Sequence, residues 1–133
     1  MADGRADTLG WVYFEARAGE ADGWMVVTVV GEVDLATLPE FRSAVTTAAS
    51  SSLGDSFGLA LDLTHCGFID SLGLGVALGG LRRMLAVGGR FVVICPDERV
   101  RSTFVRCRLD EIIEIHSSLS SATSTDSASP AGA

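Results

Sequence analysis

Three stretches of the chain gather residue types that could do chemistry. The first is the turn Ile69-Asp70-Ser71-Leu72-Gly73, where an apolar segment of strand character passes into a Leu- and Gly-rich segment of helix character. A Ser at the mouth of a helix has two uses. As an N-cap, its hydroxyl accepts a first-turn backbone N–H, and Asp70 beside it favours the positive helix end. As a phosphoacceptor, it would hold a dianion among free N–H groups at little cost to the fold. Hydrolytic chemistry is a poorer fit. G-x-S-x-G is absent, and His65 and His116 supply too little acid–base machinery.

The second stretch is Gly73-Leu74-Gly75-Val76-Ala77-Leu78-Gly79-Gly80. It follows a strand and opens a helix, as a dinucleotide fingerprint does, but its spacing is GxGxxxG and it comes at the third strand. The alternative is packing: Gly75 and Gly79 lie one helical turn apart and would let the helix approach the sheet or a partner closely. The third set is Cys66, Cys95 and Cys107 with the two histidines. No CxxC or Cys/His ligand spacing occurs, so no metal site is expected, and the cysteines read as buried free thiols in a reducing compartment.

These residues need a frame. Trp11–Ala16 reads as a strand, Ala18–Gly23 as a turn, and Trp24–Val30 as a second, antiparallel strand ended by Gly31-Glu32-Val33-Asp34. Thr37 with Glu40 forms a capping-box pattern opening a helix over about 38–50, followed by a loop at 50–55. Gly58–Leu63 is a central strand, and Ser71 to about Val87 a helix with a buried stripe of Leu74, Leu78, Leu81 and Leu85. Leu72, Val76, Gly79 and Arg83 fall on another stripe, with the character of either a protein-binding strip or a cover for the core edge. Arg90–Cys95 is a fourth strand, Asp97 caps a third helix with inner face Val100, Phe104 and Cys107, and Ile112–Ile115 is a short edge strand. Ser117–Ala122 forms one more helical turn. Alternation of strands and helices indicates α/β architecture: a mixed four- to five-stranded sheet with about four helices.

Composition bounds the function. With 133 residues and 47% apolar content, one domain fits: a flexible arm at 1–10, a domain over 11–122, and a disordered Ser/Ala/Thr-rich tail at 123–133. Net charge is −7, and every one of the ten basic residues is Arg. Binding to nucleic acid or anionic lipid is therefore not expected. Residues 1–70 hold eleven acids against three Arg, residues 71–133 six acids against seven Arg, so a partner meeting the first half should be basic there. No signal peptide and no membrane-length apolar run is read, so the expected compartment is the cytoplasm.

At these residues the chain resembles the STAS domain of the anti-sigma factor antagonist family. The family's central element, a strand followed by Asp-Ser-(Ser/Thr)-Gly-(Leu/Ile)-Gly and a helix, corresponds to Phe68-Ile69-Asp70-Ser71-Leu72-Gly73-Leu74-Gly75. Gly31-Glu32-Val33-Asp34 matches a second element, and Gly88-Gly89 and the Pro96–Arg108 segment also fit; the likeness spans about 11–122. The resemblance implies a non-enzymatic partner-switching regulator without cofactor. It would bind an anti-sigma factor that is itself an ATP-dependent serine kinase, be phosphorylated on Ser71, and be reset by a PP2C-type phosphatase. Asp34, Asp70, Leu72, Gly73 and Val76 would form the partner-binding surface. Two positions depart from the pattern: Leu72 replaces a second hydroxyl residue, and Arg108 stands where the family often has Gly. Two other readings stay open, a constitutive STAS scaffold in which Ser71 is only a cap, and a nucleotide-binding domain using Gly73–Gly80.

Overall fold

The structure, a computed structural model, describes residues 13–51 and 57–128. Strands β1 (Glu15–Ala21) and β2 (Trp24–Val33) form an antiparallel hairpin closed by Asp22 and Gly23. Both turn residues have positive φ, 52° and 88°, the mirror-image turn whose twist matches two-residue hairpins and which Asp-Gly readily supplies. The expected turn at 18–23 is thus too long, because pairing continues through Ala21 with Trp24. Trp11 and Val12 of the expected first strand, the arm at 1–10 and most of the loop at 50–55 lie outside the described residues.

β2 also runs further than expected, through Gly31 to Val33. Its register with the next strand slips between Thr28 and Val30 and again between Gly31 and Glu32. Gly31 stands at the second slip: its φ is 113°, and a Cβ there would sit 2.5 Å from the Tyr13 carbonyl oxygen, so only glycine lets the chain entering β1 approach so closely. Helix α1 (Leu38–Ser51), β3 (Leu59–Ile69), α2 (Ser71–Ala86), β4 (Phe91–Ile94) and α3 (Glu98–Arg106) follow. A 3-10 turn (Leu109–Glu111), β5 (Glu114–His116) and α4 (Leu119–Ala128) complete the described chain. The sheet has the order β1-β2-β3-β4-β5, parallel from β2 onward. The expected mixed sheet with four helices is present.

The sheet's alternating residues feed two cores. On one face, Val27, Val29, Leu59, Leu61, Leu63, Phe91 and Val93 pack with residues of α1, α2 and α3. On the other, Trp24, Val26, Ala60, Val92 and Ile94 pack with Ala122 and Leu119 of α4. α4 extends well past the single turn expected, into the stretch read as a disordered tail. Its hold on the sheet is specific: the Trp24 indole Nε1 donates to Thr123 Oγ1 at 2.9 Å, Arg90 donates to the Ala122 carbonyl at 3.0 Å, and the His116 ring meets Ser121 Oγ at 3.2 Å. Ser/Thr composition predicts disorder there, but the buried Trp24 indole and the half-buried Arg90 guanidinium hold the first turns of the helix. Residues 129–133 lie outside the described residues.

Three smaller differences have physical causes. α2 buries Gly73, Leu74, Ala77, Gly80, Leu81 and Met84, while Leu85 is exposed. Both stripes have helical period, and the flexible Met84 reaches the core in place of Leu85. Cys107 is exposed and not on the inner face of α3, because that helix ends at Arg106. β5 begins two residues later than expected, since the 3-10 turn consumes the chain before it. There Arg108 takes the left-handed conformation, φ 60° and ψ 23°, so the backbone keeps a glycine-type bend although the side chain is Arg.

Candidate functional site

The carboxyl ends of β2 and β3 lie side by side, and each feeds a helix. At the end of β2, Asp34 Oδ1 accepts from the Ala36 and Thr37 backbone N–H groups at 3.0 and 3.1 Å. Thr37, only 4% exposed, donates its hydroxyl to the Glu32 carbonyl at 2.8 Å and accepts from the Asp34 N–H at 3.0 Å. The Asp34 carboxylate therefore stiffens the β2–α1 loop instead of standing free. It leaves Leu35, 72% exposed, projecting from that loop.

At the end of β3, the Asp70 N–H donates to the Val33 carbonyl at 3.2 Å, which ties the two strand ends together. The Asp70 side chain is the N-cap of α2, accepting from the Gly73 N–H at 3.0 Å. Ser71 is thus the first helical residue and not the cap. Its side chain is exposed, and its hydroxyl makes no hydrogen bond among the described residues. The two roles weighed for Ser71 separate here, since capping falls to Asp70.

The remaining sequence-predicted residues divide. Leu72 is 47% exposed and Val76 half-buried, both on the outer side of α2. Gly73 is buried: a Cβ there would lie 2.6 Å from Ile69 Cγ1 and 2.7 Å from Val33 Cγ1. It lets α2 start hard against the strand ends, so any part in partner contact is indirect. Two surface residues at this end of the sheet escaped the sequence reading, Leu35 and Phe68, the latter 47% exposed and paired with Glu32. The available signal was an apolar residue flanking each acid, in Asp34-Leu35 and in Phe68-Ile69-Asp70, where Ile69 already takes the inward position. Beneath, the Cys66 thiol donates to the Phe68 carbonyl at 3.2 Å, and burial pushes its pKa up, so it acts as a neutral strand-end clip.

Beside Ser71, a groove of about 350 Å³ runs between α1 and α2, lined by Arg42, Val45, Leu72, Gly75, Val76 and Arg83 among others. The Gly73–Gly80 stretch lies wholly inside α2. Beyond the first turn its N–H groups are consumed by the helix, so it forms no phosphate-cradling loop. Among the described residues, no three His, Cys, Asp or Glu side chains gather as metal ligands, and no helix is long and apolar enough to cross a membrane.

The geometry has relatives. The family profile of the STAS domain matches residues 15–122. A Thermotoga neapolitana protein described as an anti-sigma factor antagonist homolog is 36% identical over 64 residues, which is 48% of this chain and 57% of that protein, little more than half its length. The anti-sigma-B factor antagonist of Listeria monocytogenes is 29% identical over 89 residues, 67% of this chain and 75% of that one. Among solved structures, an anti-sigma factor antagonist from Mycobacterium paratuberculosis superposes with a TM-score of 0.74 at 24% identity, covering 84% of this chain and 92% of that one; this likeness concerns the fold. With the matched profile running from the first strand through the start of the last helix, and its Asp-Ser turn at the mouth of α2, the chain belongs to the STAS domain family.

Proposed function

We propose that the chain is an anti-sigma factor antagonist of the cytoplasm, acting by binding and not by catalysis. Unphosphorylated, it binds an anti-sigma factor that is an ATP-dependent serine kinase. Phosphorylation of Ser71 by that kinase releases the partner, and a PP2C-type phosphatase restores binding. The observation that carries this reading is the uncommitted Ser71 hydroxyl, exposed on the first turn of α2 while Asp70 does the capping. The names of the sequence relatives support the same role.

The physical consequence of the added group is direct. A phosphoserine brings roughly −1.5 to −2 charge next to Asp70. Leaving such a charge unpaired under a partner costs several kcal/mol, and each ~1.4 kcal/mol is a tenfold loss of affinity. Leu35, Phe68 and Leu72 supply exposed apolar area at this end of the sheet, and Asp34 and Asp70 hold the two loops there. The fold itself need not change.

The test is to incubate the protein with the anti-sigma kinases of its host and ATP, then locate phosphate by mass spectrometry. Label on Ser71, with Ser71→Ala retaining partner affinity and Ser71→Asp losing ~10-fold or more, is the expected result. Absence of label with every kinase, or equal affinity of the two variants, removes the switch.

A further inference from the structure

Helix α2 holds four glycines, and packing within the fold explains two. A Cβ at Gly73 would collide with Ile69 and Val33, and one at Gly80 would stand 2.9 Å from Phe91 Cε1 and 3.2 Å from Val45 Cγ1. At Gly75 and Gly79 a Cβ would meet nothing within 4 Å. An interior glycine weakens a helix relative to alanine, so at these two positions the fold bears a cost with no internal return. Both line the groove between α1 and α2, on the outer side of the helix. The close approach their size permits is therefore approach from outside.

The groove's charge says what approaches. Arg42 and Arg83 both line it, no Asp or Glu does, and neither guanidinium has an acidic partner among the described residues. This stands out in a chain of net charge −7. From Leu72 to Arg83 the groove follows α2 for about 16 Å, three helical turns at 1.5 Å per residue.

We propose that this groove seats an apolar helix bearing Asp or Glu residues, supplied by the anti-sigma factor. Its backbone packs on Gly75 and Gly79, and its carboxylates pair with Arg42 and Arg83. The inference rests on the antagonist reading above and extends it to the chemistry of the partner's contact segment. It also supplies a mechanism of release. Ser71 lines the same groove, so a phosphate there sets a dianion at one end of it, against the partner's carboxylates.

The experiment measures, by calorimetry at low and high salt, the affinity of purified host anti-sigma factors for four chains: wild type, Gly79→Leu, Gly75→Leu, and the double variant Arg42→Glu, Arg83→Glu. Thermal unfolding of each is recorded in parallel. The expected result is a loss of ~10-fold or more in the leucine and the double variants, a wild-type affinity that falls with salt, and melting of the leucine variants no lower than wild type. Exchange of the partner helix's Asp and Glu for Arg should restore binding to the double variant. Wild-type affinity in the leucine variants overturns the groove and leaves the Ser71 switch standing. Loss in the leucine variants with full affinity in the double variant overturns the acidic chemistry. If no host anti-sigma factor binds the wild-type chain, the antagonist reading falls and the docking proposal with it.

Discussion

Adding one methyl group at Gly73 and at Gly75, two residues apart in α2, should change stability in opposite directions. At Gly73 the new Cβ meets Ile69 Cγ1 at 2.6 Å and Val33 Cγ1 at 2.7 Å. Both neighbours are β-branched, stiff at χ1 and essentially unexposed. Overpacking of this kind costs about 1–3 kcal/mol. The gain in helix propensity is at most ~1 kcal/mol and smaller in the first turn, so Gly73→Ala should lose about 1–2 kcal/mol. At Gly75 there is no contact to offend, and Gly75→Ala should gain about 0.5–1 kcal/mol. Urea unfolding of the two variants with a common m-value measures the difference. For a domain of this size the melting temperatures should separate by roughly 5–12 °C. Two variants that move in the same direction, or Gly73→Ala as stable as the parent, would refute the account of which glycine the fold requires.

Asp70→Ala should destabilise by about 1 kcal/mol through loss of the α2 cap, while Ser71→Ala stays within ~0.5 kcal/mol of the parent in the same unfolding assay. Arg108→Gly should raise stability by roughly 0.5–1 kcal/mol, since Arg108 holds a left-handed backbone at φ 60°. Burial lifts the Cys95 thiol to about 11 from its ordinary 9.0, so its stabilising contribution is complete below pH 9 and is lost as pH rises toward 11; Cys95→Ala should flatten that part of the stability profile. Hydrogen bonding from Arg90 holds the Glu114 carboxyl below its usual range, which gives stability present above the ordinary carboxylate pKa and lost as pH falls through the lowered one. Acid titration followed by tryptophan fluorescence should show that loss reduced in Glu114→Gln.

Strands and helices with strong internal period were legible in the sequence: β2, β3, α1 and α2 start within a residue or so of their expected places. What failed was decided by contacts that period does not encode. Leu74-Leu78-Leu81-Leu85 and Leu74-Ala77-Leu81-Met84 are equally helical, and packing against the rest of the fold selects the second. Asp22-Gly23 is a strong hairpin signal, and the small and polar residues before it give the 18–23 stretch the composition of a longer turn although pairing continues to Ala21. The tail's Ser/Thr composition hid α4, whose order comes from Trp24 and Arg90, far away in sequence. At the candidate site, the turn at Asp70-Ser71 does lie where β3 passes into α2, but the cap is Asp70 and not Ser71. Either residue type caps a helix, and the choice between them follows from where the Asp70 N–H is pinned to Val33.

Trp24 and Thr123 are separated by 99 residues. A ribosome adding about 5–20 residues per second needs roughly 5–20 s to travel between them. Throughout that interval the apolar patch built on Trp24, Val26 and Ala60 has emerged or is emerging with its lid still unmade. The nascent chain is therefore exposed to wrong pairing and to chaperones on that side until α4 has been made.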